Sequence, residues 1–123
     1  MEDIRARIEQ EVGSWEGVTV QPHRFGGVEF VLGRRELGHL HTTWADLPFT
    51  RRIREMLLET GRAEPHRAGV NGWVSHPLDE DAIELFRLSY ERARVAQSRQ
   101  QLSESVGADV PTRDDDADSA APD

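Results

Sequence analysis

The chain has 123 residues and a formal charge of −8, from 23 acidic against 15 basic side chains, and every basic side chain is arginine. That length supports one domain of ordinary size, since domains typically hold about 100–150 residues, and the absence of cysteine excludes a disulfide scaffold, thiolate catalysis and cysteine metal ligands. The acid excess argues against nucleic acid as a partner; with no run of about 18 apolar residues and no basic-apolar leader, the expectation is a cytoplasmic protein that does not enter the membrane.

Charge divides the chain. Residues 1–98 carry 13 arginines against 16 acids, a net of −3, whereas residues 99–123 carry 2 against 7, a net of −5. The second stretch includes Asp114, Asp115 and Asp116 in a row, two prolines and little to bury, so the expected organisation is a folded domain over 1–98 and a disordered acidic tail over 99–123.

Ile4, Ile8, Val12 and Trp15 recur at helical spacing and Gly13 is placed to end the helix. Val18 and Val20 flank Thr19 in a short alternating run stopped by Pro22, which suits an edge strand. Val28, Phe30 and Leu32, then Leu37, His39 and His41, alternate on either side of Gly33-Arg34, a hairpin with glycine at the first turn position. An uninterrupted register opposes Phe30 to Leu37, Val28 to His39 and Gly26 to His41. It puts both histidines on the apolar side, with Glu29 and Glu36 on the other. Asp46-Leu47-Pro48 reads as a helix start, with Phe49, Ile53, Met56 and Leu57 as the buried stripe and Gly61 as the stop. His66 to Val70 and Trp73 to His76 read as a second hairpin around Asn71-Gly72. A last helix opens at Leu78 to Asp81 with acids at its positive end and buries Ile83, Phe86, Tyr90 and Ala93. The predicted order is α-β-β-β-α-β-β-α: a single α+β domain whose mostly antiparallel sheet is built from two hairpins and an edge strand, with three helices.

The chemistry-bearing pattern is His39-Leu40-His41, because alternate strand residues share a face and two imidazoles there can polarise one bound group or chelate one ion. A third nitrogen would come from His66, His76 or His23, while the uninterrupted register sets Glu29 apart. No HExxH-type sequence is present, two strand histidines are more often hydrogen-bonded structural groups, and the expectation is a site with no metal. A histidine with a pKa near 6.5 in a partly apolar pocket can instead take a proton from an acidic hydroxyl. No GxSxG elbow surrounds a serine and no phosphate-cradling loop occurs, which removes hydrolase and nucleotide readings. Arg24 is a candidate to orient an anionic ligand, and Trp44 and Trp73 are candidates to wall a pocket.

Taken in order, Arg24-Phe25-Gly26-Gly27, Gly33 through His41, Leu47-Pro48-Phe49, Arg62 through His66, Gly72-Trp73-Val74 and Leu88 through Ala93 resemble the luciferase-domain family of small proteins. The resemblance spans about residues 15–95. It implies kinship with fungal luciferases, which oxidise a hydroxypyrone with dioxygen, and implies no dedicated organic cofactor. Carried over by motif, it makes His39, His41 and His66 candidate catalytic residues, and Trp73 a further position of interest. The layout is also similar, more distantly, to MmcQ/YjbR-like proteins, for which a DNA-binding role is supposed, against which the acid excess here argues. Three readings follow: a cofactor-independent, oxygenase-like domain acting on an electron-rich small molecule, a non-catalytic ligand- or protein-binding module, and, as the weakest, a metal-dependent site using His39 and His41 with a third donor.

Overall fold

Asp3 starts the first helix by accepting from the Arg5 backbone N–H at 3.1 Å, which satisfies one of the donors a helix N-terminus leaves unpaired. Helix α1 (Ile4–Gly13) turns Ile8 and Val12 fully into the core, and Trp15 follows just beyond its end. The structure is a computed structural model and describes residues 3–23, 26–67, 69 and 72–106. Arg24, Asn71 and the segment from 107 onward, all of which carried expectations, lie outside the described residues.

Six strands follow: β1 (Val18–Pro22), β2 (Val28–Leu32), β3 (Arg35–Leu40), β4 (Trp44–Pro48), β5 (Glu64–Pro65) and β6 (Trp73–Pro77). Helix α2 (Arg51–Glu59) separates β4 from β5, and α3 (Glu80–Val106) follows β6. The strands form one antiparallel sheet in the order β1-β2-β3-β4-β6-β5. β1, with Pro22 at its end, is an edge strand as its sequence suggests. The α+β class and the three helices stand as expected; the order gains a strand and becomes α-β-β-β-β-α-β-β-α.

The added strand corrects the reading of Asp46-Leu47-Pro48 as a helix start. Trp44–Pro48 pairs with β3 on one side and with all of β6 on the other, so the backbone hydrogen bonds of this stretch are made across a sheet. Thr50 is the residue that caps α2, its hydroxyl accepting from the Ile53 N–H at 3.4 Å. Leu57 is the buried residue of α2, while Met56 is exposed rather than part of the stripe. The second hairpin is also paired elsewhere than the sequence suggests, at Glu64–Pro65. Its ladder pairs Glu64 with Ser75 and Pro65 with Val74, so the first strand lies before His66 and not from it onward. The connection to β6 is tied inward by the Arg67 N–H on Ser75 Oγ at 3.2 Å and by the Phe49 N–H on the Gly72 carbonyl at 2.9 Å.

A second correction concerns register. The turn at Gly33-Arg34 opposes Leu32 to Arg35 and Val31 to Glu36, but the next pair is Phe30 with Gly38. Leu37 is therefore an extra residue, a β-bulge, and because side chains alternate with period two, one extra residue exchanges the faces of everything after it. His39 opposes Glu29 and Leu40 opposes Val28. The imidazole of His39 thus lies on the side of Glu29 and Glu36, away from Phe30.

The bulge is held from the helix layer. Ser89 of α3 donates its hydroxyl to the Leu37 carbonyl at 2.8 Å, and a Cβ on Gly38 would sit 2.7 Å from Phe86 and 2.8 Å from the Asp46 carbonyl. Gly38 also has φ 147°, a region side chains other than hydrogen rarely occupy. Phe30 and Phe86 meet edge to face with ring centroids 5.2 Å apart. With Leu32, Leu40, Ala45, Leu47 and Val74 they fill the space between the sheet and the helices, each large side chain contributing about 1.5–3 kcal/mol by leaving water. Tyr90 of α3 donates to the Glu16 carbonyl at 2.8 Å and lies against Trp15, and an Arg7–Glu80 ion pair joins α1 to α3. α3 continues past residue 98 to Val106.

Candidate functional site

With one face of the sheet covered by helices, the polar residues of β2, β3, β4 and β6 gather on the other. Asp46 pairs with His39 on one side and with Ser75 on the other, so alternation directs all three side chains to that face. Asp46 is only 2% exposed, and its two oxygens divide the work. Oδ1 accepts from Ser75 Oγ at 2.6 Å. Oδ2 lies 2.8 Å from His41 Nε2, 3.2 Å from His39 Nε2, 3.4 Å from His66 Nε2 and 3.4 Å from Trp44 Nε1. The other nitrogen of His39, Nδ1, is 2.7 Å from Glu36 Oε2. His23 stacks on His39 with ring centroids 4.0 Å apart and approaches Glu29 at 3.9 Å. Four of the five histidines in the chain thus share one face.

Each element delivers its residue for a local reason. β3 and β4 are joined by a tight turn in which the His41 N–H donates to the Trp44 carbonyl at 2.8 Å, which returns the chain so that Asp46 comes beside His39. Arg5 of α1 donates its Nε–H to the His41 carbonyl at 3.1 Å and fixes the end of the strand. His66 follows Pro65, where the ladder stops, and its ring turns back to Asp46 instead of continuing the pairing.

Burial by itself would lower the pKa of His39, but hydrogen bonds to Asp46 and Glu36 and the charges of those carboxylates outweigh it and push it up to about 9. Burial would likewise raise the pKa of Asp46, yet the bonds from His39 and Ser75, the charge of His66 and the bond from His41 hold it well below the usual carboxylate range. Without further partners, His39 is an imidazolium at neutral pH and Asp46 a carboxylate.

Two tryptophans wall the cluster. Trp44 lies against His41 with centroids 4.6 Å apart and carries the Arg67 guanidinium over its ring at 4.7 Å. Trp73 lies 5.3 Å from His39 and 6.2 Å from His66, held by its carbonyl accepting from Arg54 Nε–H at 3.2 Å. The side chain of His41 is 20% exposed, against 9% for His39 and 11% for His66, so His41 is the member of the trio that a ligand reaches first. A shallow depression lined by Arg87, Tyr90, Glu91 and Arg94 runs along α3 on the helix-covered side of the sheet and is separate from this cluster.

The structure therefore brings His39, His41, His66, Trp44 and Trp73 together, and Arg24 lies outside the described residues. It does not bring in His76, which opposes Ala45 on the helix-facing side. Glu29, which the uninterrupted register set apart, shares the face of the histidines. The central residue, Asp46, escaped sequence reasoning because an Asp two residues before a proline carries a strong helix-cap signal. Glu36 and Ser75 are polar residues in strands with no signature of their own.

The match to known families falls on this region. Residues 34–89 match the family model described as Luciferase domain. This segment is similar to luciferase-domain proteins. It holds Asp46, Ser75, Glu36, both walling tryptophans and every histidine of the cluster except His23. No curated protein and no solved structure matches the chain. Among the described residues, no helix is long and apolar enough to cross a membrane.

Proposed function

We propose that the luciferase-domain segment forms an oxygenase-like site for a flat, electron-rich small molecule bearing an acidic hydroxyl. The observation that carries this reading is the placement of His41: its Nε2 is anchored 2.8 Å from a buried carboxylate, its ring lies on Trp44, and it is the most open of the three histidines around Asp46. A planar ligand stacked along Trp44 meets a centre that combines positive charge on His39 with further imidazole nitrogens.

Such a centre favours ionisation of an enolic hydroxyl. The O–H bond breaks, the proton passes to the cluster or to water, and the oxyanion is held where positive charge is already in place. The enolate then gives electron density from carbon to dioxygen. A C–O bond forms, dioxygen is reduced to the peroxide level, and the peroxide takes up a proton. A metal-free packing role for the histidines is less well supported, because a cluster serving packing alone has no need to hold an imidazole open between a tryptophan and a carboxylate.

Oxygen uptake with a panel of hydroxypyrones and related enols tests the proposal, run beside a His41→Asn variant whose fold is checked by far-UV circular dichroism. Turnover by the unaltered chain that falls about 100-fold or more in the variant is expected, the scale of a lost acid–base or oxyanion group. Failure of the unaltered chain both to bind any panel member and to consume oxygen overturns the proposal.

A further inference from the structure

We infer that His39, His41 and Asp46 form a binding site for a first-row divalent transition-metal ion. The ligand atoms of His39, His41 and Asp46 all lie within 4.8 Å of one another. Two imidazoles and one carboxylate gathered at one point are the donor set of a facial triad, which leaves coordination positions open to other ligands.

The spacing suits an ion. With metal–ligand bonds of about 2.0–2.1 Å, neighbouring ligand atoms stand about 3.0 Å apart in an octahedron and about 3.3 Å apart in a tetrahedron. His41, His39 and His66 Nε2 stand 2.8, 3.2 and 3.4 Å from Asp46 Oδ2. The first two have the geometry of adjacent coordination sites, and His66 reaches the same oxygen from the loop after β5.

Donor arithmetic points the same way. A carboxylate offers about four lone-pair sites over two oxygens, and Ser75 already occupies Oδ1. About two sites on Oδ2 face four nitrogens, three of them imidazole Nε2 atoms and the fourth that of Trp44. As hydrogen-bond donors these nitrogens crowd one atom. As lone-pair donors to a shared cation, the imidazoles and Oδ2 become partners of the ion instead of competitors for each other.

The surroundings complete the pattern. A metal-bound imidazole characteristically donates its second ring N–H to a carboxylate, which fixes its orientation and strengthens it as a ligand. Glu36 stands 2.7 Å from His39 Nδ1 in that role, and the Ser75 hydroxyl orients Asp46 through the oxygen not used for the ion. The imidazole and carboxylate mixture, without thiolate, selects a borderline ion such as Fe(II), Mn(II), Co(II) or Zn(II).

This inference adds to the reading above the agent that holds the oxyanion: an enolate oxygen would enter an open position on the ion. It rests on that reading only for the identity of the incoming ligand. The test uses the full chain, purified without a metal-affinity step, stripped with chelator and titrated with Zn(II), Mn(II) and, without oxygen, Fe(II). One ion per chain is expected, with affinity reduced at least 100-fold in His41→Asn and 10- to 100-fold in Glu36→Gln, the usual scale for an outer-shell partner. His76→Asn, on the other face, leaves affinity unchanged.

Co(II) loaded into the unaltered chain gives a second readout that needs no variant: pulsed electron resonance detects the remote nitrogens of at least two coordinated imidazoles. Absence of saturable binding, binding that survives His41→Asn, or a cobalt spectrum without imidazole nitrogen overturns the inference. Oxygen uptake by the stripped chain also overturns it while leaving the oxygenase proposal standing. A one-to-one metal complex at these residues in a chain that neither binds any enol nor consumes oxygen with it sinks the proposal and leaves the metal site.

Discussion

Replacing Asp46 by Asn keeps the volume and one acceptor oxygen but removes the negative charge that faces His39, His41 and His66 and the second acceptor oxygen, and the consequence can be worked for the metal-free chain. The His39 pKa stands at about 9 against 6.5 for the free side chain. At about 1.4 kcal/mol per unit, that difference is on the order of 3 kcal/mol favouring the protonated imidazole in the fold. Because the folded value is raised, this stability is fully present below pH 6.5 and is lost as pH rises towards 9. Asp46 is shifted the other way, so its contribution is present above its ordinary value of 3.8 and is lost as pH falls through the acid range. The two shifts report largely the same pairing and are not added together. The unaltered, chelator-treated chain should thus be most stable between about pH 4 and 6.5 and should lose up to about 3 kcal/mol by pH 9.5.

In Asp46→Asn, His39 keeps Glu36 but loses its other carboxylate, and a loss of about 2–3 kcal/mol at pH 6 is expected, towards the lower end of what breaking a buried charge pair costs. With a urea dependence of about 1–3 kcal/mol per molar for a small protein, the unfolding midpoint falls by roughly 1–2 M. Urea unfolding followed by tryptophan fluorescence at pH 6, 7.5 and 9 measures both quantities. The decline between pH 6 and 9 should be shallower in the variant than in the unaltered chain. A variant within about 0.5 kcal/mol of the unaltered chain at pH 6, or one with the same slope, would refute the pairing of His39 with Asp46, since a surface substitution alone has that small an effect.

Gly38→Ala should destabilise the fold by about 3 kcal/mol or more, combining an overpacked contact of about 1–3 kcal/mol with strain at positive φ of similar size, because its Cβ meets Phe86 and the Asp46 carbonyl; calorimetry checks the stability, and metal titration of the folded fraction should show weakened binding as β4 is displaced. Ser75→Ala leaves Asp46 Oδ1 without its buried donor and should cost about 1–3 kcal/mol, seen in urea unfolding at pH 6 together with a metal affinity lower by about tenfold or more. Phe86→Ala, on the helix side of the sheet, should cost about 3–5 kcal/mol, yet leave the metal affinity of the chain that remains folded unchanged; a loss of affinity without loss of fold would show that the two faces are more tightly coupled than their packing suggests.

The elements themselves were legible from local chemistry. The stripe Ile4, Ile8, Val12 and Trp15, the glycine turn at Gly33-Arg34, the proline-ended edge strand and the acid-opened last helix each follow from periodicity and backbone preference, which act over a few residues and need no knowledge of the rest of the chain. The candidate histidines were legible too, since few side chain types can polarise or chelate at neutral pH. What escaped was every feature decided by a distant partner. Asp46 joined a strand because β3 and β6 flank it on both sides, and a two-sided ladder outweighs a cap signal that any single helix end can satisfy. His66 was a candidate from the sequence, but its approach to Asp46 is a contact between residues 46 and 66 that no spacing rule encodes.

The face of the histidines was settled by the smallest of these features. Sequence alone determined that His39 and His41 share one face of the strand and Leu40 takes the other, but alternation counts residues and cannot see the one that is skipped. Only the tertiary structure inserts Leu37 as a bulge, with Ser89 of α3 holding its carbonyl and Phe86 filling the space beside Gly38. A helix some fifty residues away in sequence thereby sets which side of the sheet carries the imidazoles, since the period of a strand is two and a shift of one residue is enough to exchange its faces.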